Sequence, residues 1–128
     1  MLARYALLTL GFLLFGAPGA LAAEKTPYTP AALTKAQAEG AAILIDVHAP
    51  WCPTCRAQEP VLNKLEDLPK FDKLRVFIVD FDSQKDALRA FAASQQSTLI
   101  VFKGATEVAR SVGETDPAAL AALLDKTQ

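Results

Sequence analysis

The sequence has almost no excess of charge. Its 128 residues hold 13 Lys and Arg against 14 Asp and Glu, which gives a formal net charge of −1. Proteins that bind nucleic acid through its phosphates concentrate basic side chains instead. The balance therefore gives no indication of a nucleic-acid partner. The sequence also lacks internal repeats and low-complexity tracts.

One apolar run, at the N-terminus, stands apart from the rest. Arg4 precedes an apolar stretch over residues 6–15, and Ala20-Leu21-Ala22 offers small residues at the positions that a signal peptidase reads. This pattern predicts a bacterial signal peptide over residues 1–22, and hence export to the periplasm. The alternative is an uncleaved membrane anchor, because residues 2–23 almost reach the length that spans a bilayer. The residue directly after the cleavage position is Ala23 and not a cysteine, so we expect no lipid anchor.

The rest of the chain is short. Residues 23–128 are enough for one hydrophobic core but not for two. We divide them into a short polar lead-in, residues 23–29, and a single domain, residues 30–128.

Cysteine is scarce, and its placement is informative. The only two cysteines stand in Trp51-Cys52-Pro53-Thr54-Cys55, directly after an apolar run over residues 43–47. The run indicates a buried strand and the segment after it a helix. At the start of a helix, unpaired N–H groups and the helix dipole favour a thiolate. A disulfide over two intervening residues adds little stability, so a redox function is favoured over a structural staple.

Hydrophobic spacing, caps and breakers predict eight elements. Thr29 is expected to cap the first helix, and Pro60 should bend the second. In chain order they are a helix over 30–39, a strand over 42–48, a helix over 53–68, a strand over 74–80, a helix over 84–93, strands over 98–102 and 107–112, and a helix that opens at 116. This order predicts an α/β fold with a mixed sheet and helices on both faces.

Several residues stand at offsets from the cysteines that are typical of one family. They are an acid six residues before the first cysteine, a tryptophan just before it, a proline eight residues after it, an apolar strand with its turn, and a later glycine: Asp46, Trp51, Pro60, residues 98–104 and Gly113. Through them residues 30–124 resemble the thioredoxin family. The resemblance implies a thioredoxin-like fold with a mixed central sheet of four to five strands. It also implies a thiol–disulfide oxidoreductase that needs no metal or other cofactor.

The resemblance implies roles for three residues of the site. Cys52, which we expect at the exposed end of the helix, is the nucleophile, and Cys55 is the more enclosed resolving thiol. Asp46 is a proton relay to Cys55, or else only a partner for nearby backbone. Burial should raise the pKa of Asp46. The lysine that often accompanies this acid is replaced by Ile78, so we expect no cation nearby to oppose the effect of burial.

Substrate contacts are implied at Trp51, Pro53, Ser97 and Thr98. Ser97 departs most from the family, which places a cis-proline at this position. A cis bond before a residue other than proline costs about 3–4 kcal/mol. The bond between Gln96 and Ser97 is therefore either cis and strained or trans, and we expect altered substrate recognition in both cases.

The single histidine, His48, lies four residues before Cys52. It could favour the thiolate electrostatically, or join Cys52 and Cys55 in binding a soft metal ion. Alternatively, it packs beside the site as an aromatic side chain would.

The sequence thus predicts an exported thiol–disulfide oxidoreductase that reduces protein disulfides, for example in cytochrome c maturation. By analogy with the family, a membrane-embedded thiol reductase would supply its electrons. A disulfide-forming oxidant is the alternative within the class, although such proteins usually carry a large helical insertion. A copper(I) or zinc carrier using Cys52, Cys55 and His48, or a redox-inactive chaperone, is the alternative outside it. A monomer is the default expectation.

Overall fold

The structure, a computed structural model, describes residues 22–128. The predicted signal peptide falls outside this range except for Ala22, so it stays a prediction. The strands are β1 (Glu24–Pro27), β2 (Ala42–His48), β3 (Arg75–Asp80), β4 (Thr98–Lys103) and β5 (Thr106–Val112). The helices are α1 (Pro30–Ala38), α2 (Pro53–Glu66), α3 (Lys85–Ala90) and α4 (Pro117–Asp125), and a 3₁₀ turn, Pro69–Phe71, follows α2. No helix within residues 22–128 is long and apolar enough to cross a membrane.

The five strands form one mixed sheet in the order β1-β3-β2-β4-β5. β3 runs parallel to both β1 and β2, whereas β4 runs antiparallel to both β2 and β5. Strand β2 therefore lies at the centre, and its C-terminal end leads directly to the cysteines. The predicted α/β fold is confirmed.

Local sequence signals fix where the helices begin. The Thr29 hydroxyl accepts a hydrogen bond from the N–H of Ala32 at the start of α1, and the Asp116 carboxylate accepts one from the N–H of Ala119 at the start of α4. A proline occupies the first turn of each of these helices and of α2, where a missing N–H costs nothing. Gly40 ends α1 with a φ of +69°, a conformation that favours glycine.

The core is divided by the sheet into two layers. On one face α1 and α3 cover alternate residues of the central strands, including Ile45, Val47 and Ile100. On the other face α2 and α4 cover Leu44, Leu99 and their neighbours. Side chains alternate along a strand, so Asp46 shares the face of Leu44 and lies beneath α2.

Strand β1 differs from the sequence-based expectation, which placed only a polar lead-in over residues 23–29. Residues Glu24–Pro27 pair with β3 along the edge of the sheet. Three of the four are exposed, so the strand has no alternation of apolar residues by which a sequence pattern could reveal it. Its proline lies at an edge, the place where a sheet tolerates one. The position of β1 brings Lys25 close to the functional site.

Candidate active site

The sulfur of Cys52 caps the N-terminus of helix α2. Cys52 occupies the position before the first helical residue, with extended backbone angles, and its Sγ accepts a hydrogen bond from the N–H of Cys55 at 3.1 Å. A serine or aspartate oxygen usually fills this position. Pro53 follows and has no N–H to offer. The first turn of α2 thus directs its unpaired backbone donors and its positive dipole end at a sulfur.

Both cysteines are free thiols, and both are buried. Cys52 is 1% exposed and Cys55 2%, so the expectation that Cys52 lies at an exposed helix end is wrong. The reason is tertiary, because Ala49 and the partly buried ring of Phe81 pack against the pair.

The pKa values of the two thiols are shifted in opposite directions. Burial alone would raise the pKa of Cys52. Hydrogen bonds from the Cys55 thiol, the Ser97 hydroxyl and the N–H groups of Cys55 and Thr54 outweigh burial and lower it. Burial and the hydrogen bond with Cys52 raise the pKa of Cys55. These opposite shifts favour the thiolate on Cys52 over the thiolate on Cys55.

Ser97 approaches both sulfurs. Its Oγ lies 3.1 Å from Cys52 Sγ and 3.3 Å from Cys55 Sγ. No cis peptide bond occurs within residues 22–128, so the bond before Ser97 is trans. The residue instead adopts a φ of +61°, which is uncommon for any residue other than glycine. Between the two geometries that the sequence leaves open, the structure has the trans form.

Asp46 carries a buried carboxyl group, and one of its two oxygens lacks a hydrogen bond within residues 22–128. It is 8% exposed, and its Oδ1 has no hydrogen-bond partner among the described residues. Burial raises its pKa to about 6, although the charges of His48 and Lys25 oppose the shift. The expected rise in pKa is confirmed. The expectation that no cation lies nearby is wrong, because Lys25 reaches the site from β1.

A small cavity of about 150 Å³ lies beside Asp46. Its lining combines acidic, basic and apolar side chains: Asp46 and Glu59, Lys25 and His48, and Leu62 and Ile78. The Lys25 ammonium forms an ion pair with the buried Glu66 at 3.0 Å and donates to Asn63 Oδ1 at 2.8 Å. The position that often holds lysine in the family is apolar in this chain, and a lysine from the edge strand lies near the same carboxyl group.

His48 lines the cavity on the side of Asp46. Within residues 22–128, no group of three or more His, Cys, Asp or Glu side chains is arranged to hold a metal ion. His48, which the sequence offers as a third metal ligand beside Cys52 and Cys55, is therefore not positioned with them.

The predicted substrate contacts differ in accessibility. Trp51 is 52% exposed, and its Nε1 donates to Asp82 Oδ2 at 2.8 Å while its ring meets Phe81 edge to face. Pro53 is exposed as well. Thr98 is buried and its hydroxyl donates to the carbonyl of Gln95 at 2.7 Å, so its side chain is not available at the surface.

Sequence reasoning missed two residues of the site. Gln58, one helical turn after Cys55, is buried, and its Nε2 donates to the carbonyls of Ser97 and Glu114 at 3.3 and 2.8 Å. An amide on the inner face of an amphipathic helix is the signal that could have identified it. Val112 pairs with Thr98 across the hairpin and is 53% exposed. No sequence signal marks Val112.

Comparisons with known proteins agree with this geometry. The family model described as Thioredoxin matches residues 28–126. The chain is 40% identical over 87 residues to a thioredoxin from Chlamydia trachomatis serovar D, a match that covers 67% of this chain and 82% of that protein. It is 34% identical over 84 residues to a thioredoxin from Bacillus subtilis (strain 168), covering 66% of this chain and 80% of that protein.

Solved structures give the same result. The crystal structure of Trxlp from Edwardsiella tarda EIB202 matches with a TM-score of 0.77 at 52% sequence identity, covering 79% of this chain and 98% of that one. The Malassezia sympodialis thioredoxin matches with a TM-score of 0.74 at 23% identity, covering 88% of this chain and 97% of that one, and so supports the fold alone. With a matching family model over most of its length and a cysteine pair at the start of α2, the chain belongs to the thioredoxin family and is a thiol–disulfide oxidoreductase.

Proposed function

We propose that the protein is exported to the bacterial periplasm and there reduces disulfides of other proteins, with Cys52 as the nucleophile and Cys55 as the resolving thiol. The observation that carries the assignment of roles is the 3.1 Å hydrogen bond from the Cys55 N–H to Cys52 Sγ. It favours a thiolate on Cys52 and none on Cys55. Export is supported by the N-terminal pattern over residues 1–22.

The reaction consists of two exchanges. The Cys52 thiolate attacks one sulfur of a substrate disulfide, a mixed disulfide forms, and the other substrate sulfur leaves as a thiolate. The Cys55 thiol then loses its proton and attacks Cys52 Sγ. The second substrate sulfur leaves, and the Cys52–Cys55 disulfide remains. Two electrons have passed from the protein to its substrate.

The exposed apolar side chains around the cysteines suit a protein substrate. Trp51 and Val112 are each about half exposed, and Pro53 is exposed beside Cys52. Trp51 and Pro53 adjoin Cys52 in the chain, and Val112 pairs with Thr98, the residue after Ser97. Exposed apolar side chains next to a reactive group are typical of an interaction site, and these can contact a substrate segment while Cys52 attacks it.

The two roles predict different behaviour for the two single-cysteine variants. Cys55→Ser should accumulate a mixed disulfide with a protein substrate, since the second exchange is removed. Cys52→Ser should form almost none, because the remaining thiol receives no N–H from the start of α2 and its pKa is raised. Non-reducing electrophoresis and mass spectrometry measure both. If Cys52→Ser retained full activity, a redox-inactive chaperone would be the better assignment, and if it trapped substrate as Cys55→Ser does, the two roles would be reversed.

We propose that Asp46 accepts the proton that Cys55 releases in the second exchange. Its pKa of about 6 lies near neutrality, which suits a group that takes and returns a proton. The cavity beside Asp46 has room for a water molecule that could exchange a proton with its carboxyl group. The ion pair between Lys25 and Glu66 fixes one positive charge near this cavity.

The raised pKa of Asp46 predicts a pH-dependent effect of Asp46→Asn. The folded state holds the proton more tightly than the unfolded state, so the wild type loses stability as pH rises from about 3.8 to about 6. A shift of about two pKa units corresponds to ~3 kcal/mol. The free energy of unfolding of Asp46→Asn should therefore rise relative to wild type by that order across this window and stay level above it.

Denaturant unfolding at several pH values measures this difference. Asp72→Asn, a change at an exposed aspartate, is the matched control. If Asp46→Asn increased the free energy of unfolding by the same amount at every pH, the raised pKa of Asp46 would be contradicted. In Asp46→Asn the second exchange should also be slower than in the wild type at neutral pH, whereas the first should keep its rate. If both exchanges kept their wild-type rates, Asp46 would not act as the proton relay.

We infer that electrons flow from this protein to its substrates, in processes such as cytochrome c maturation. A reductant outside the cytoplasm needs a donor, so we propose a membrane-embedded thiol reductase as its partner. A disulfide-forming oxidant usually carries a large helical insertion. Within residues 22–128, the segment between β3 and β4 holds only the short helix α3, which favours a reductant.

The direction of flow is tested by the reduction potential of the mature protein, equilibrated with glutathione buffers. The exposed Trp51 next to the site provides a fluorescence signal. We expect a value near that of thioredoxin, about −270 mV. A value near about −120 mV would identify a disulfide donor and overturn the proposed direction.

A further inference from the structure

We propose that the hydroxyl of Ser97 is a catalytic group of this enzyme, which hydrogen-bonds the Cys52 thiolate and stabilises it in the reduced protein. The proposal rests on the assignment of Cys52 as the nucleophile. It gives Ser97 a role different from substrate contact, the role implied by the resemblance to the family.

The hydroxyl lies within hydrogen-bond reach of both reacting atoms. Ser97 Oγ is 3.1 Å from Cys52 Sγ and 3.3 Å from Cys55 Sγ. A serine hydroxyl has one proton to donate and two lone pairs to accept with. It can donate its one proton to the Cys52 thiolate.

The start of helix α2 fixes the direction of this hydrogen bond. Only Cys52 Sγ receives a backbone N–H from the first turn of the helix, so the negative charge is more stable on Cys52 than on Cys55. We therefore assign the hydroxyl proton to the hydrogen bond with Cys52. A hydrogen bond to an ionised acceptor is about twice as strong as one between neutral groups.

The backbone holds the hydroxyl in place. The N–H of Ser97 donates to the carbonyl of Val47 at 2.8 Å. The Ser97 carbonyl accepts from the N–H of Gly113 at 3.0 Å and from Gln58 Nε2 at 3.3 Å. These three bonds maintain a φ of +61°, and such strained conformations cluster at functional sites.

Burial strengthens the interaction. Ser97 is 2% exposed and Cys52 1%, so bulk water does not compete for either group, and a hydrogen bond in such surroundings is stronger than in water. A proline at position 97 would supply neither a hydroxyl nor an N–H. The serine thus adds a donor to the site.

The hydroxyl should favour the reduced protein over the oxidised one. In the reduced protein it donates to a charged sulfur. In the Cys52–Cys55 disulfide neither sulfur carries a charge, and a neutral sulfur is a weak acceptor. Removing the hydroxyl should therefore raise the pKa of Cys52 and shift the exchange with glutathione toward the disulfide.

Two variants separate the hydroxyl from the backbone strain. Ser97→Ala and Ser97→Gly both remove the hydroxyl, but glycine adopts a positive φ without strain. Ser111→Ala is the matched control, because Ser111 Oγ is also buried and has no hydrogen-bond partner among the described residues. The readouts are the thiolate ultraviolet absorbance as a function of pH and the equilibrium with glutathione.

We expect both Ser97 variants to raise the pKa of Cys52 and to shift the glutathione equilibrium about tenfold toward the disulfide, which corresponds to about 30 mV. Ser111→Ala should change neither. If the glutathione equilibrium constant of both Ser97 variants stayed within about twofold of the wild-type value, or if only Ser97→Ala shifted it, the hydroxyl would have no such role. These outcomes leave the trapping result with Cys55→Ser intact, whereas failure of that trapping would remove the proposed function itself.

Discussion

The site depends on one interaction, the attraction between the sulfur of Cys52 and the N-terminal end of helix α2. The central strand β2 ends at His48, and a short loop delivers Cys52 to the capping position. The helix is held against the sheet by buried residues such as Leu62, so its dipole and its free N–H groups cannot turn away from the sulfur. The fold therefore holds the positive end of the α2 dipole against the thiol of Cys52.

Three ionisable groups around this helix end have pKa values that the fold shifts away from their ordinary values. Cys52 is favoured as a thiolate and Cys55 as a thiol, while burial holds the pKa of Asp46 near neutrality. The protein interior could not easily hold two negative charges so close together. The charges of His48 and Lys25 limit how far burial raises the pKa of Asp46, whereas the charge of Glu66, the ion-pair partner of Lys25, adds to the rise.

Sequence patterns predict those parts of the fold that depend on local signals. Strand β2 and the start of α2 follow from an apolar run and a cysteine–proline cap, and the cysteine pair follows from spacing. Strand β1 is polar and exposed, so no pattern reveals it, and its contribution of Lys25 stays hidden with it. The burial of Cys52 and the contact of Ser97 with both sulfurs arise from segments far apart in the chain. Such tertiary contacts cannot be derived from residue spacing alone.

The most direct test of this account is to assign a pKa to each cysteine separately, by following the ¹³C chemical shift of each cysteine Cβ in the reduced protein as pH changes. The account predicts that Cys52 ionises at lower pH than Cys55, because only Cys52 receives the N–H groups of α2. If Cys55 ionised first, or if the two thiols titrated together at the ordinary value of a free cysteine, the helix would not be activating Cys52 and the assignment of roles would be wrong.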